Sequence, residues 1–331
     1  MTSPFPKSSS APGEGRIVVK LLPNRVSALE NLTYQYPLKL ISPSPKHDQP
    51  CVLVFLLSYG GGLVGGDQVN LSIEVQPGAK LSIVTQGHTK VFQSVTPDIV
   101  TRQALRVTIA KDAALCLLPD PVQPFERSVY EQIQTFHMAE GASLCFLDWV
   151  THGRSARGEN WSLTRWAGRN EVWATSGSQA QKSRLLVRDA VILDGTSRSS
   201  QLQSLRESMY QNAVIGTLIL RGPLMKQAGE FFLAEFDALP RLGARDFRSA
   251  ERREKDAAVS QSREEIWREA RLRQEKESNV LWSAANVRGC VIVKFGAATV
   301  EAGRHWINSM LLEEGSVGRS FGEQALMCIQ Y

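Results

Sequence analysis

Four carboxylates stand beside turn signals in this chain. Asp67 follows the glycine run Gly60-Gly-Gly-Leu-Val-Gly-Gly66, Asp120 sits between Pro119 and Pro121, Asp148 closes the apolar run Leu144-Cys-Phe-Leu147, and Glu159 lies in the turn Gly158-Glu-Asn160. Carboxylates so placed can work as acid/base pairs or as oxygen ligands for a divalent cation. The histidines His47, His88, His137, His152 and His305 add imidazole, but they form no HExxH and no close pair. His88 and His152 are the two that a fold could bring together beside Asp67, Asp120 or Asp148. A resident transition-metal site needs about four soft or borderline ligands in one place, and the spacing supplies no such group. There is no GxSxG and no GxxxxGK[ST], which excludes a nucleophile elbow and a P-loop.

Gly60 to Gly65 satisfies GxGxxG after an apolar strand, but alternating strands follow it where a dinucleotide site requires a helix. The run reads as a tight β connection that another strand or chain approaches closely. Thr85-Gln-Gly-His-Thr-Lys90 is a polar loop after a strand, with Lys90 as a point charge. Leu118-Pro-Asp-Pro-Val-Gln-Pro-Phe125 is a stiff, kinked crossing that holds Asp120 on a rigid frame. The stretch Asp148 to Trp161 carries Arg154, Arg157 and Glu159 between Trp149 and Trp161. Arg157 and Glu159 are spaced to pair across the turn, and Trp with Arg is the composition of interface anchors.

The elements that must position these residues are mostly strands. Arg16–Leu22, Cys51–Leu57, Val69–Val75 and Lys80–Thr85 read as β, the last two alternating as in a half-buried antiparallel sheet. A faint repeat places Ala79, Ala113 and Ala142 each after a turn and before a strand, at spacings of 34 and 29 residues that leave room for a return strand. This predicts a mainly β fold of stacked or coiled strand layers, solenoid-like or an elongated sandwich, with a few helices. Trp161–Trp173, Arg184–Leu193, Val287–Phe295 and Ala325–Ile329 extend the β reading, Ala213–Leu220 is a strand or a buried helix turn, and Leu202–Tyr210 and His305–Glu314 read as helical. Residues 245–277 hold ten basic and nine acidic residues with no Pro or Gly, a charged surface helix or helix pair.

The 331 residues are 43% hydrophobic with a net charge of +5, enough apolar mass for a sizeable core. Residues 1–15 read as a disordered tail without a secretory h-region, and 16–331 as one β-rich domain with the charged run inserted. Arginines are dispersed, so no nucleic-acid footprint is expected. Cys51–Leu57, the most apolar stretch, is only seven residues, so no membrane span is expected. Five scattered cysteines, Cys51, Cys116, Cys145, Cys290 and Cys328, read as buried free thiols of a reducing compartment, hence a cytoplasmic protein.

In this order, four blocks resemble the urease accessory protein D family, called UreH in some bacteria. They are Leu57–Asp67, Gln76–Phe92, Leu118–Phe125 and Leu147–Trp161. The family pattern falls on Gly60, Gly61, Gly62, Gly65, Gly66, Asp67, Thr85, Gly87, Thr89, Lys90, Pro119, Asp120, Pro121, Pro124, Asp148, Gly153, Arg154, Arg157, Gly158 and Glu159. The resemblance implies a non-enzymatic maturation factor that binds accessory protein F, through it the GTPase accessory protein G, and then apo-urease. No permanent cofactor is implied, only nickel in transit through an internal tunnel, for which Asp67, His88, Asp120, Asp148, His152 and Glu159 are the candidate path. The chain departs from the pattern at His88, where many bacterial members carry a small residue, and in the length of the charged run. The readings the residues leave beside it are a β-rich adaptor unrelated to urease and a carboxylate-based hydrolase.

Overall fold

Each copy of the alanine repeat turns the chain from one sheet into the other. In the computed structural model, which describes residues 11–44, 49–175, 183–196, 204–239 and 262–330, the strands are β1 (Glu14–Leu21), β2 (Ser27–Tyr34), β3 (Leu38–Ile41), β4 (Val52–Ser58), β5 (Gln68–Val75), β6 (Lys80–Val84), β7 (Thr89–Val91), β8 (Thr101–Ile109) and β9 (Ala114–Leu117). They continue as β10 (Val122–Pro124), β11 (Val129–Met138), β12 (Ser143–Thr151), β13 (Arg165–Thr175), β14 (Ser183–Asp194), β15 (Val214–Arg221), β16 (Leu281–Val287) and β17 (Cys290–Ala297). The helices are α1 (Leu205–Ser208), α2 (Lys226–Asp237), α3 (Arg263–Glu277), α4 (Val300–Glu314) and α5 (Ser316–Phe321).

One sheet runs β14-β13-β11-β8-β5-β1-β2 and the other β16-β17-β15-β12-β9-β6-β4-β3, with β10 joining β12 and β7 at the side. The expected antiparallel pairing of Val69–Val75 with Lys80–Thr85 does not occur. β5 pairs in parallel with β1 and β8, and β6 in parallel with β4 and β9. Alternation reports that one face is buried but not which strand is the neighbour. β6 is also buried on both faces, because the C-terminal segment around Cys328 covers the side carrying Ser82 and Val84.

The repeat is the turn of a coil. Gly78, Asp112 and Gly141 take positive φ (72, 56 and 72°). Ala79, Ala113 and Ala142 each donate a backbone N–H three residues back, to Gln76, Ala110 and Ala139. Successive turns then stack, Ala114 N–H on Ala79 O and Ser143 N–H on Ala113 O, both at 2.9 Å. Ala79 and Ala113 are fully buried, so a larger side chain would have no room at either turn.

One apolar core fills the space between the sheets. Phe136 on β11 meets Phe146 on β12 with ring centroids 4.6 Å apart, and truncating either to Ala costs about 3–5 kcal/mol. A second core lies between the outer face of β12, β15 and β17 and the helices, around Trp149, Phe232 and Trp306.

Several expectations change. Residues 1–10 of the anticipated tail lie outside the described residues, while Glu14 and Gly15 already belong to β1. Of Val287–Phe295, Cys290–Phe295 is strand as expected, within β17, but Val287 ends β16, because Arg288 and Gly289 at φ 51 and 79° turn the chain between the two. Ala325–Ile329 is no strand: Glu323–Leu326 forms a 3-10 turn. Within the charged run, 245–261 lie outside the described residues, and α3 covers Arg263–Glu277 with Ser262 as its N-cap. Its polar residues are not all solvated. Arg271 and Glu275 are buried, and Arg271 bonds both Glu275 and Glu235, which Arg268 also holds at 2.9 Å.

Candidate functional site

Inward-facing residues of a strand share one parity, and here that parity mixes apolar and polar groups. On β11 the inward set is Tyr130, Gln132, Gln134, Phe136 and Met138; on β13 it is Trp166, Gly168, Asn170 and Val172; on β12 it is Leu144, Phe146, Asp148 and Val150. Register aligns the polar members. Gln132 stands beside Gln103, Asn170 beside Asp189, and Asp148 beside Thr217, itself beside Lys294. A polar layer therefore crosses the interior next to the apolar one.

Hydrogen bonds join the sheets through this layer. Gln132 Nε2 donates to Asp148 Oδ1 at 2.8 Å and Asn170 Nδ2 to Asp148 Oδ2 at 2.7 Å. Tyr130 Oη donates to Gln132 Oε1 at 3.0 Å, and Gln134 Nε2 to Asn170 Oδ1 at 3.2 Å. Asp189 takes Lys294 Nζ at 2.6 Å and Thr217 Oγ1 at 3.1 Å.

Cavities follow the layer in a row. A 420 Å³ pocket is lined by Asp148, Trp166, Asn170, Asp189, Thr217 and Lys294 among others. A 30 Å³ neck shares Asp148 and Trp149 with it and adds Gln103, Gln132, Thr85 and Asp120. Thr85 and Asp120 also line an 810 Å³ cleft with His88, Lys90, Arg304 and Cys328. A 360 Å³ groove continues past His88 to Gly60, Gly61 and Lys39. The row runs across the strands, from β17 and β15 through β12 to β4 and β3.

The structure sorts the sequence-predicted residues. Asp120 is an anchor. Its Oδ2 accepts from Thr85 Oγ1 and Gly87 N–H, both at 2.9 Å, and its Oδ1 from Arg304 Nη2 at 2.9 Å. Glu159 is bound by Arg154 through its side chain and its backbone N–H, the latter at 2.8 Å. Arg157, the partner expected across the turn, is exposed in the short 3-10 turn and leaves Glu159 to Arg154. Arg154 also stacks on Phe125, 4.1 Å from its ring centre. Asp67 caps its own turn, its Oδ2 accepting from Val64 N–H at 2.8 Å, and it lines none of these cavities. Asp148 bridges pocket and neck. His88 lines the cleft beside Asp120, whereas His152 follows β12 with its ring 6.3 Å from Trp161.

Of the glycine block, Gly60 and Gly61 sit exposed in the turn before β5, and Gly62 is packed so that a Cβ would come within 2.6 Å of the Phe92 ring and 2.8 Å of Lys90 O. Gly65 backs onto Gln93 and Ser94, and Gly66 donates its N–H to Thr101 Oγ1. This is the close approach of strands that the motif implied.

Electrostatics follow from burial. Desolvation raises the Asp148 carboxyl to about 6, against the two amide hydrogen bonds that favour its anion. Burial lowers the imidazoles of His88 and His152, so both are neutral near pH 7 and able to bind a cation. Glu301 on α4, absent from the sequence reading, lies near enough to both to pull each back upward. Burial pushes the Cys328 thiol up to about 12, a poor ligand in that state. All five cysteines are free and buried. Among the described residues no three His, Cys, Asp or Glu side chains gather into a metal cage, and no helix is long and apolar enough to cross a membrane.

Asp189, Lys294, Gln132 and Asn170 escaped the sequence reading. The available signal was parity: Gln132 and Gln134 share the strand face of Tyr130 and Phe136, where an ordinary core would be apolar.

The chain is similar in sequence to known proteins. Residues 11–321 match the family model described as UreD urease accessory protein. A urease accessory protein ureD-like chain of Schizosaccharomyces pombe is 32% identical over 299 residues, 88% of this chain and 93% of that one. The urease accessory protein UreD of Sorangium cellulosum is 37% identical over 67% of this chain and 65% of its own length. That of Anaeromyxobacter is 28% identical over 93% and 87%. These relatives are named as accessory proteins rather than enzymes, and a reading unrelated to urease is set aside. With the four sequence blocks gathered around one row of cavities and the family model spanning nearly the whole length, the chain belongs to the UreD urease accessory protein family.

Proposed function

We propose that the chain is a non-catalytic subunit of cytoplasmic urease maturation, which holds accessory proteins F and G on apo-urease and conducts nickel to it through the row of cavities that begins between its sheets and ends in the cleft beside Arg304. The observation that carries the reading is the sharing of wall residues. Asp148 belongs to both pocket and neck, and Asp120 to both neck and cleft. Nickel is cargo here, and a path must bind it weakly enough to release it. Oxygen and amide groups along the neck, without a closed cage of thiolate and imidazole, meet that requirement.

Of the six residues expected to line the path, Asp67, His152 and Glu159 line none of these cavities. Asp120 and Glu159 each hold an arginine, so they fix the loops around the row rather than meeting the ion. Their replacement is expected to disturb assembly. Replacing Asp148 is expected to spare it.

The test is co-expression with accessory proteins F and G and apo-urease, followed by size-exclusion chromatography with mass determination and by urease assay. An Asp148→Asn chain that joins the assembly at full stoichiometry but activates urease at less than a tenth of the wild-type level supports the conduit. Full activation by that chain removes it. A wild-type chain that joins none of the partners removes the scaffold reading.

A further inference from the structure

We infer that Asp148 is the single ion station of the neck and that Gln132, Asn170 and Tyr130 are positioning residues that aim its carboxylate and keep it open to a divalent cation. The inference rests on the conduit reading for the identity of the ion, and on geometry for the rest.

The three other carboxylates named from the sequence are occupied. Asp120 and Glu159 have arginine partners, and Asp67 is spent on its own turn. Asp148 is different: among the described residues, no lysine, arginine or histidine hydrogen-bonds to it. Lys294, whose charge reaches Asp148, is bonded to Asp189. Its donors are two neutral amides, one from β11 and one from β13.

Those amides have no freedom to turn round. The carbonyl end of Gln132 accepts from the Tyr130 hydroxyl, and the carbonyl end of Asn170 accepts from Gln134. Flipping either amide would set its carbonyl oxygen against the Asp148 carboxylate, and flipping Asn170 would also set its NH₂ against that of Gln134; a buried polar group left unpaired costs about 1–3 kcal/mol. The NH₂ ends therefore face Asp148 in every low-energy arrangement of the network. The result is a buried anion held in place by dipoles alone, with no counter-ion for an incoming cation to displace. Each carboxylate oxygen accepts one amide hydrogen and keeps lone-pair capacity for a cation. The 420 Å³ pocket admits an ion with much of its hydration shell, whereas the 30 Å³ neck holds about one water, so the ion sheds water where Asp148 stands.

The probe is nickel chloride added to the full chain labelled with 5-fluorotryptophan. Trp149 adjoins Asp148 and lines both spaces, and Trp166 and Trp282 line the pocket. Paramagnetic nickel at Asp148 is expected to broaden these three ¹⁹F signals before the other four of the seven tryptophans. Asp148→Asn should abolish the selective broadening. Tyr130→Phe removes only the hydroxyl that pins Gln132. It should raise the nickel concentration for half-broadening about threefold or more with the urea midpoint corrected for by parallel unfolding, a shift that a purely structural part would not produce. Asn170→Leu should raise it further. Broadening that is unselective, or unchanged in Asp148→Asn, overturns the station; an unchanged half-broadening concentration in Tyr130→Phe and Asn170→Leu overturns the positioning part. Urease activation by the same variants separates the two readings. Selective broadening lost in Asp148→Asn with activation intact refutes the conduit and leaves the station. Activation lost without any broadening in the wild type refutes the station and leaves the conduit.

Discussion

Arg304 on α4 places its Nη2 2.9 Å from Asp120 Oδ1, and the same guanidinium reaches the carbonyl of Cys328. One side chain thus ties the helical layer, the proline-framed crossing and the C-terminal segment together. It also accounts for the Thr85, Gly87 and Asp120 positions of the family pattern, since Asp120 accepts from both residues of the loop that presents His88.

Arg304→Gln is therefore expected to destabilise the chain by about 2–4 kcal/mol, somewhat under the value for a fully buried pair because part of the arginine meets solvent. Arg304→Lys should recover little, as one ammonium cannot reach both acceptors. Urea unfolding measures the loss. An effect below 0.5 kcal/mol (~0.5 is typical of surface sites) would deny Arg304 this part.

Glu275 offers a second test. Its Oε1 accepts from Arg271, from Trp282 Nε1 at 2.9 Å and from Trp306 Nε1 at 2.8 Å. Glu275→Gln keeps an acceptor but strands the buried Arg271 with less negative charge, and should cost about 2–3 kcal/mol. Glu275→Leu also strands the two indoles and should cost about 4 kcal/mol or more. Thermal melts followed by tryptophan fluorescence read both. The reverse order of severity would contradict the network.

The coil turns predict a coupled pair. A Cβ at Gly141 would collide with the Asp112 carboxylate, and φ there is 72°. Gly141→Ala should cost about 1–3 kcal/mol. Asp112→Gly should be neutral or mildly stabilising, because Asp112 holds φ 56°. In a double-mutant cycle, Asp112→Gly should relieve part of the Gly141→Ala cost; strict additivity would mean that the two turns do not touch.

The pH dependence of stability has a definite sign at Asp148. The folded carboxyl keeps its proton up to about 6, against 3.8 for the ordinary group. Its contribution to stability is therefore whole below about pH 4 and is lost as the pH rises through 6, leaving the buried anion to cost on the order of 3 kcal/mol at neutral pH. Relative to Asp148→Asn, the wild type should lose stability between about pH 4 and 6. Denaturant midpoints for both chains across that range check it, and a constant gap between them would refute the shift.

Much of the fold was legible from one signal. The alanines Ala79, Ala113 and Ala142 marked turns, and because those turns stack, the stacked β layers followed. The partner of each strand was not legible, since alternation in β5 is the same whether its neighbours run parallel or antiparallel. The hairpin at Arg288-Gly289 hid inside an apolar run because only one of its two left-handed residues is glycine. At the site, the conspicuous carboxylates were the ones beside prolines and glycines, and two of those proved to be arginine-bound anchors. The groups that hold Asp148 are amides in the middle of strands. They lie far from it in sequence and adjoin it only because the sheets face each other.

The stacked turns also bear on the dimension along which the cavities lie. The row crosses the strands, so it lengthens only when another coil is added to the stack, and each coil contributes one strand spacing of about 4.8 Å. Distance through the molecule comes in whole steps. A relative with one coil more or fewer would carry a row longer or shorter by that increment.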